Sequence, residues 1–523
     1  MRIDWLRLPA YRNLRDFEIN FDETQPTTVL LGHNGSGKSN LIEAIVEIFR
    51  ELDSGKPASF AYAMRYICNG AAIEINSNPE AKRRLTITVD SASISQTEFN
   101  KHKDAWLPQY IFGYYSGWSS RLERQFDEKT RRYYYDVLKS PDNDMPLRRF
   151  FFCRKEYSQL VLLAFFLVDD PKVKKLLSDF LQIESFETAL FVMNKPWWGR
   201  SNKPGDLENV DPRFWNAGGA FRPFLSTLWE NSLAPIRNTE AVERDIRHRG
   251  ETTERLYLFI KNEKQLASLK KPQESIKQLF ANLESLYLCD LVDEVRVKVR
   301  KKDGNRVTFS QLSEGEQQLL TVLGLLLFTQ DDESLYLLDE PDTHLNPVWT
   351  YDYLRLLQEN IRAEKGQRIV ATHDPLMVGS LYKNQVRVMN QDEEVTTAVE
   401  PEYDPLGIGI EGLLKSELYG LQSTLAPDIL MKLNRHYLLL GKTDKTDDEQ
   451  MELISLAQEL NELGVSRTHP NPYFEQFANA MAKRIPKTSI ILTKEDIDQQ
   501  AKLADEVLAE IIAEESGEGE KQE

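Results

Sequence analysis

Cysteine is scarce in this chain: Cys68, Cys153 and Cys289 are the only three among 523 residues. Their wide spacing supplies neither a disulfide framework nor the paired ligands of a structural zinc site, and a chain that dispenses with disulfides fits a reducing cytoplasm. Long apolar runs are also missing. The longest, Leu160 to Val168 and Leu319 to Phe328, fall short of the roughly 20 residues a membrane-crossing helix needs and read as buried helix. Met1-Arg2-Ile3-Asp4 lacks the basic-then-apolar plan of a secretory leader, so no membrane is expected. No heptad pattern persists far enough for a coiled-coil arm, and no segment repeats. Positive charge is in deficit. The formal net charge is −17, and from residue 401 onward 24 acidic residues face 12 basic ones. That excludes a uniform electrostatic grip on nucleic acid while leaving room for a local basic face.

What is present is an apolar share of 41%, ample for large cores. The amino-terminal part reads as strands: Ile3 to Leu8 and Phe17 to Phe21 alternate with period two around a turn at Tyr11-Arg12-Asn13-Leu14. Thr27 to Leu31 reads as a short buried strand, followed by a glycine-rich loop and an amphipathic helix from Ser39 to about Leu52. Further strands are expected at Ala72 to Ile75, Leu85 to Val89, Leu335 to Leu338 and Arg368 to Ala371. A hairpin is expected around Asp303-Gly304, and residues 120–290 read as mainly helical. The segment after about residue 405 reads as helical again, and the Glu/Gly-rich tail from Glu514 as disordered.

Four short segments carry chemistry. Gly32-His33-Asn34-Gly35-Ser36-Gly37-Lys38-Ser39 fits GxxxxGK[ST], between an apolar strand and a helix. Glycines let backbone amides wrap phosphates, the helix start adds positive potential, Lys38 reaches the outer phosphates and the Ser39 hydroxyl suits Mg²⁺. Leu335 to Glu340 is an apolar run ending in two acids: Asp339 can share the Mg²⁺ shell, and Glu340 can orient and deprotonate a water. Leu312-Ser313-Glu314-Gly315-Glu316 carries the capping-box spacing Ser313/Glu316 at a helix start. His373 follows the strand that ends near Ala371. Alone, the last three are weak signals, since many strands end in acids, many helices are well capped and most such histidines are structural.

In this order the four segments resemble the ATPase head of the ABC type found in SMC proteins and RecF. The resemblance implies an α/β fold: a P-loop NTPase head with a mixed β-sheet, a helical insertion and a helical carboxyl-terminal region. Its parts would be 1–119 with the P-loop, 120–290 as the insertion, 291–400 with the remaining motifs, 401–513 as the helical region and 514–523 as the acidic tail. It implies ATP and Mg²⁺. Gly32 to Ser39 and Asn40 would bind the nucleotide, Ser39 and Asp339 the metal, and Lys38, Glu340 and His373 would act in catalysis. Ser313 and Gly315, as the signature, would reach the nucleotide of a second copy, so the working form would be a homodimer or a higher oligomer. Asn346 stands in the D-loop where the family usually has Asp. Gln109, before the expected strand Tyr110 to Tyr114, is the candidate for the Q-loop glutamine.

Within that class, Tyr114-Tyr115-Ser116-Gly117, Glu459 to Thr468 and Asn471-Pro472-Tyr473-Phe474 resemble the ATPases of Septu and retron anti-phage systems. Those act with an HNH nuclease and, in retrons, with a reverse transcriptase and its RNA–DNA hybrid. Nuclease activity is not expected in this chain. Asp496-Ile497-Asp498 is the only Asp-x-Asp after His373 considered for a Toprim-like site, and its helical, acidic context argues against metal binding. A DNA-clamping repair ATPase of the RecF/SMC kind is the alternative. The basic residues from Arg121 to Lys155, interleaved with aromatics, and Arg296, Lys298, Arg300, Lys301 and Lys302 read either as nucleic-acid surfaces or as solvated faces.

Overall fold

A computed structural model describes residues 1–463 apart from 57–58, 140–146, 169, 197–209, 219–221, 243–250, 271–274, 331–332, 361–365, 393–394, 422 and 443, together with 502, 506 and 507. It divides into two units, Met1–Tyr419 and Gly420–Glu523.

The first unit is organised by a seven-stranded sheet. Its order is Val395–Val399, Val386–Asp392, Thr27–Leu31, Gln367–Ala371, Ser334–Asp339, Tyr110–Tyr115 and Phe150–Phe152. Every pairing is parallel except that of Val386–Asp392 with the edge strand Val395–Val399. Parallel strands are covered on both faces and therefore read as unbroken apolar runs. Here successive residues go to opposite cores. Leu30, Leu335, Leu337 and Ile369 enter one, and Val29, Leu31, Tyr336, Leu338 and Val370 the other.

The first core is closed by the helix Lys38–Ser54, which buries Leu41, Ile42, Ile45, Phe49 and Leu52 and stops at Gly55 in the left-handed conformation (φ 65°). Beyond it lies a six-stranded antiparallel sheet, Leu14–Asn20, Arg2–Tyr11, Tyr62–Cys68, Ala71–Ser77, Leu85–Val89 and Ala92–Ile94. The second core packs the helices Ser158–Phe166, Ile276–Leu288 and Glu314–Phe328.

The mainly helical reading of 120–290 missed a third sheet, ordered Leu233–Val242, Glu251–Ile260, Ile183–Asn194, Val292–Lys301 and Arg306–Thr308. Its central strand Ile183–Asn194 pairs with strands far along the chain, and the outer strand Leu233–Val242 is largely exposed, so period-two alternation is faint. The Asp303-Gly304 turn does join two of them, with Gly304 at φ 83°.

In the second unit the helices Pro427–Gly441 and Asp447–Glu462 form an antiparallel pair tied by Lys432–Glu459, Arg435–Glu452 and Lys442–Glu449. Asn471 to Phe474, Asp496 to Asp498 and the tail 514–523 lie outside the described residues, as do residues 197–209 of the segment rich in Gly, Pro, Asn and Trp from about Lys195 to Gly219. No helix among the described residues is long and apolar enough to cross a membrane.

Candidate functional site

The loop Gly32–Gly37 leaves the carboxyl end of Thr27–Leu31, a central strand of the parallel sheet. Gly35 (φ 89°) and Gly37 (φ 102°) use backbone that only glycine adopts readily. A Cβ on Gly37 would also lie 2.5 Å from Leu14 Cδ2. The helix that follows begins at Gly37 with no side-chain cap and no acidic residue in its first turn. Its leading amides are thus available to an anion. Lys38 is buried, and its ammonium donates to the carbonyls of Gly32 (2.6 Å) and His33 (3.3 Å). Burial pulls its pKa below the usual lysine value, more than Asp339 and Glu340 raise it.

The strand Ser334–Asp339 pairs in parallel with Gln367–Ala371, which pairs with Thr27–Leu31, so Asp339 ends beside the loop. Asp339 is 2% exposed. Its pKa rises to about 6, chiefly through burial and then Glu340, against a hydrogen bond from Ser39 and the charge of Lys38. Its Oδ1 has no hydrogen-bond partner. A buried carboxylate oxygen without a partner, next to the serine that bonds its carboxyl group, is a donor set that fits a hard divalent cation. Glu340 sits at φ 50°, strained for a non-glycine residue, pinned by its N–H to Ala371 O at 2.8 Å. Its Oε1 approaches His373 Nδ1 to 3.5 Å. Asp342 is held by the Thr372 hydroxyl at 2.8 Å, and burial lifts its pKa to about 6.

Ser313 and Gly315 lie elsewhere. Ser313 caps the helix Glu314–Phe328 in a full capping box with Glu316. Gly315 is pressed against His344 O, which a Cβ would meet at 2.5 Å, and Gln318 Nε2 donates to Pro341 O. Ser313, Gly315, Asn346 and Trp349 are among the residues lining a cleft of about 650 Å³. No hydrogen bond or ion pair among the described residues joins Ser313 or Gly315 to Gly32–Ser39. Asn346 accepts from the Trp349 N–H at 3.0 Å, at the start of the helix Pro347–Asn360.

Several side chains around the loop escaped the motif reading. Asn13 Nδ2 donates to Gly35 O at 2.6 Å, and Asn40 Nδ2 to Asn13 Oδ1 at 2.6 Å. Arg12 and Arg121 both pair with the buried Glu43 and donate to Asn40 Oδ1. The only signal for these was the turn at residues 11–14. Gln109 does not fit the Q-loop. It sits before the amino end of Tyr110–Tyr115, bonded to Glu333 O, while the parallel register sets Tyr115, not Gln109, opposite Asp339. The basic stretches are neutralised in part. Arg121, Lys129, Arg148, Arg149 and Arg154 pair with Glu43, Asp53, Glu284, Asp104 and Asp127 respectively. In the second stretch Arg296, Arg300 and Lys301 pair with Glu294, Glu187 and Glu316.

Residues 116–379, just over half of the 523, match the family model described as "AAA domain, putative AbiEii toxin, Type IV TA system". The chain belongs to this AAA family. Residues 1–195 of this AAA protein also match a model described as "AAA ATPase domain". It is 28% identical over 191 residues to the Septu protein PtuA of Bacillus mycoides (strain KBAB4), covering 34% of this chain and 26% of that protein. It is 23% identical over 146 residues to the "Retron Vc95 probable ATPase" of Vibrio cholerae serotype O1 biovar El Tor, covering 26% of this chain and 28% of that protein. The chain thus spans about a quarter of the length of these two relatives. The SMC head domain from Thermotoga maritima is 15% identical, covers 77% of this chain and 100% of its own, and superposes with a TM-score of 0.32. At that score the likeness adds nothing to the topology described above. Motifs, family and relatives together mark an AAA-family protein similar to PtuA.

Proposed function

We propose that this chain is the ATP-hydrolysing subunit of a bacterial anti-phage defence assembly in the cytoplasm. It works as a head-to-head pair of copies and controls a nuclease carried by a separate chain, an HNH nuclease, with a reverse transcriptase and its RNA–DNA hybrid as further partners in a retron setting. One observation carries the ATPase part. Lys38, Ser39, Asp339, Glu340 and His373 gather at the carboxyl end of one parallel sheet, while Ser313 lines an open cleft away from them. The likeness to PtuA and to the retron ATPase supports the defence part.

In this reading the phosphates of ATP lie across the amides that open the helix Lys38–Ser54, and Lys38 exchanges two loop carbonyls for phosphate oxygens. Ser39 and Asp339 would hold Mg²⁺, which would supply charge neutralisation at the phosphates. Glu340, its backbone fixed by Ala371, orients and deprotonates the attacking water, and His373 steadies its carboxylate beside the γ-phosphate. Ser313 and the Gly315 amide of the second copy complete the phosphate shell from a helix start. A chain that clamps DNA by itself has less support, because many of the bases in its two basic stretches are held in internal ion pairs.

Lys38→Ala is expected to lose ATP binding or turnover. Glu340→Gln is expected to bind ATP, stay paired and lose turnover by about a hundredfold or more. Wild-type turnover in Glu340→Gln removes the assignment of the base. Co-purification with untagged genomic neighbours, read by mass spectrometry, tests the partner, and the absence of any nuclease removes that part of the proposal.

A further inference from the structure

The carboxylate of Glu316 is shared between two elements. Its Oε2 accepts from the Ser313 N–H at 2.8 Å and from the Ser313 hydroxyl at 3.0 Å. Its Oε1 accepts from Lys301 Nζ at 2.7 Å. Lys301 belongs to the five-stranded sheet, not to the seven-stranded one. It ends the strand Val292–Lys301 and opens the tight turn into Arg306–Thr308. Its place is fixed by three backbone hydrogen bonds: Gly304 N to Lys301 O, Lys301 N to Asn305 O and Lys302 N to Gln182 O, each 2.9 Å. Lys301 is 22% and Glu316 14% exposed, so a carboxylate left there without its lysine would be a poorly solvated charge.

A second carboxylate stands at the same helix start. Glu314 is 73% exposed and lies 3.6 Å from His344 Nδ1. Two acids therefore flank Ser313 and Gly315 at the place where, on the head-to-head reading proposed above, the phosphate of the second copy's nucleotide arrives. Like charges oppose that approach. The Ser313 hydroxyl is moreover engaged with Glu316 and must turn away from it to donate to a phosphate.

From this arrangement we infer that Lys301 is a positioning residue for the composite nucleotide site. It neutralises Glu316 and draws one of its oxygens off the cap, so that Ser313 can release the carboxylate and meet the incoming phosphate. Because Lys301 is anchored in the five-stranded sheet, the competence of the signature depends on that sheet. A ligand or partner that shifts the turn between Lys301 and Arg306 thereby governs hydrolysis at a distance from the P-loop. The inference rests on the head-to-head reading and deepens it.

The test uses the full chain. Lys301→Met keeps the aliphatic stem and removes the charge. Binding of a fluorescent ATP analogue to dilute protein is expected to stay within about twofold of wild type, which also certifies the fold, while kcat falls about tenfold, equivalent to one charge-assisted contact. Lys301→Arg is expected to keep at least half the wild-type rate. Adding Glu316→Gln to Lys301→Met is expected to recover most of the loss, because the amide oxygen still accepts from Ser313 but brings no charge. Wild-type kcat in Lys301→Met overturns the inference. So does a loss that Glu316→Gln leaves unrelieved, as a packing role would, and so does an equal loss in Lys301→Arg. Failure of the underlying reading looks different: specific activity independent of protein concentration, or a Ser313→Ala protein with full activity, whatever Lys301 does.

Discussion

Asn13 offers the sharpest test of how the phosphate-binding loop is held. Its amide nitrogen donates to Gly35 O at 2.6 Å and its amide oxygen accepts from Asn40 at 2.6 Å, so one side chain ties the tip of the loop to the first turn of the helix behind it. The turn that carries it packs directly on the loop, since Leu14 Cδ2 would meet a Cβ placed on Gly37. Asn13→Ala removes both hydrogen bonds. Each is worth about 0.5–1.5 kcal/mol net, and Asn40 keeps Arg12 and Arg121 as donors to its own oxygen. A loss of about 1.4 kcal/mol in the loop's bound form raises the Kd for ATP about tenfold. No hydrogen bond or ion pair among the described residues joins Asn13 to Asp339, Glu340 or His373, so kcat at saturating ATP should fall much less than kcat/KM. The assay is equilibrium titration with a fluorescent ATP analogue beside steady-state hydrolysis, with thermal unfolding as the control for the fold. A Kd within twofold of wild type refutes the reasoning. A large drop in Tm would move the role of Asn13 from the loop to the fold.

Two further outcomes follow from buried charge. The folded carboxyl of Asp339 has a pKa of about 6, above the usual value of about 4, so the folded state retains a proton that the unfolded chain releases between those values. Its contribution to stability is greatest at low pH and falls as pH rises through about 6. Asp339→Asn should therefore raise the Tm of the nucleotide-free protein at pH 7.5, with a gain that shrinks as the pH is lowered through 6. A variant less stable than wild type at pH 7.5 contradicts this. Arg148 is paired with Glu284 at 2.7 Å, and both side chains are almost fully buried. Arg148→Met strands that carboxylate and should cost about 3–5 kcal/mol in denaturant unfolding, most of it regained by Arg148→Met with Glu284→Leu. A cost below about 1 kcal/mol in the single variant would refute it.

The parallel sheet was legible because its chemistry is local. Thr27–Leu31, Ser334–Asp339 and Gln367–Ala371 are buried on both faces, which leaves continuous apolar runs, and the residues proposed for phosphate and metal follow their carboxyl ends in short local segments. What depends on long-range pairing was not legible. Ile183–Asn194 finds its partners at Glu251–Ile260 and Val292–Lys301, and no local alternation reveals that choice. Arg12, Glu43 and Arg121 converge only once three distant segments meet. The basic stretch from Arg121 to Lys155 shows its charge in the sequence but not the carboxylates that pair with part of it. Gln109 illustrates the same limit: proximity to a strand does not say which end it occupies, and only the register Asp339 to Tyr115 decides that.

That register also links, within one copy, the acids beside the phosphate-binding loop and the helix that Ser313 caps. Ser116, just past Tyr115, donates its N–H to Asp339 O at 3.3 Å and shares a hydrogen bond with the Thr343 hydroxyl at 2.8 Å. Thr343 in turn donates to Glu340 O at 3.0 Å. From Pro341 the connection runs to Gln318, and from His344 O to Gly315, so the segment from Pro341 to His344 meets its own signature helix at both ends and, through Thr343, Glu340 of its own P-loop site. A close-packed connection of this kind transmits displacement because it has no slack to absorb it. If each signature serves the nucleotide of the other copy, closure around one ATP presses on the segment that positions the second. Paired hydrolysis then follows from packing within each copy, not only from contact between them.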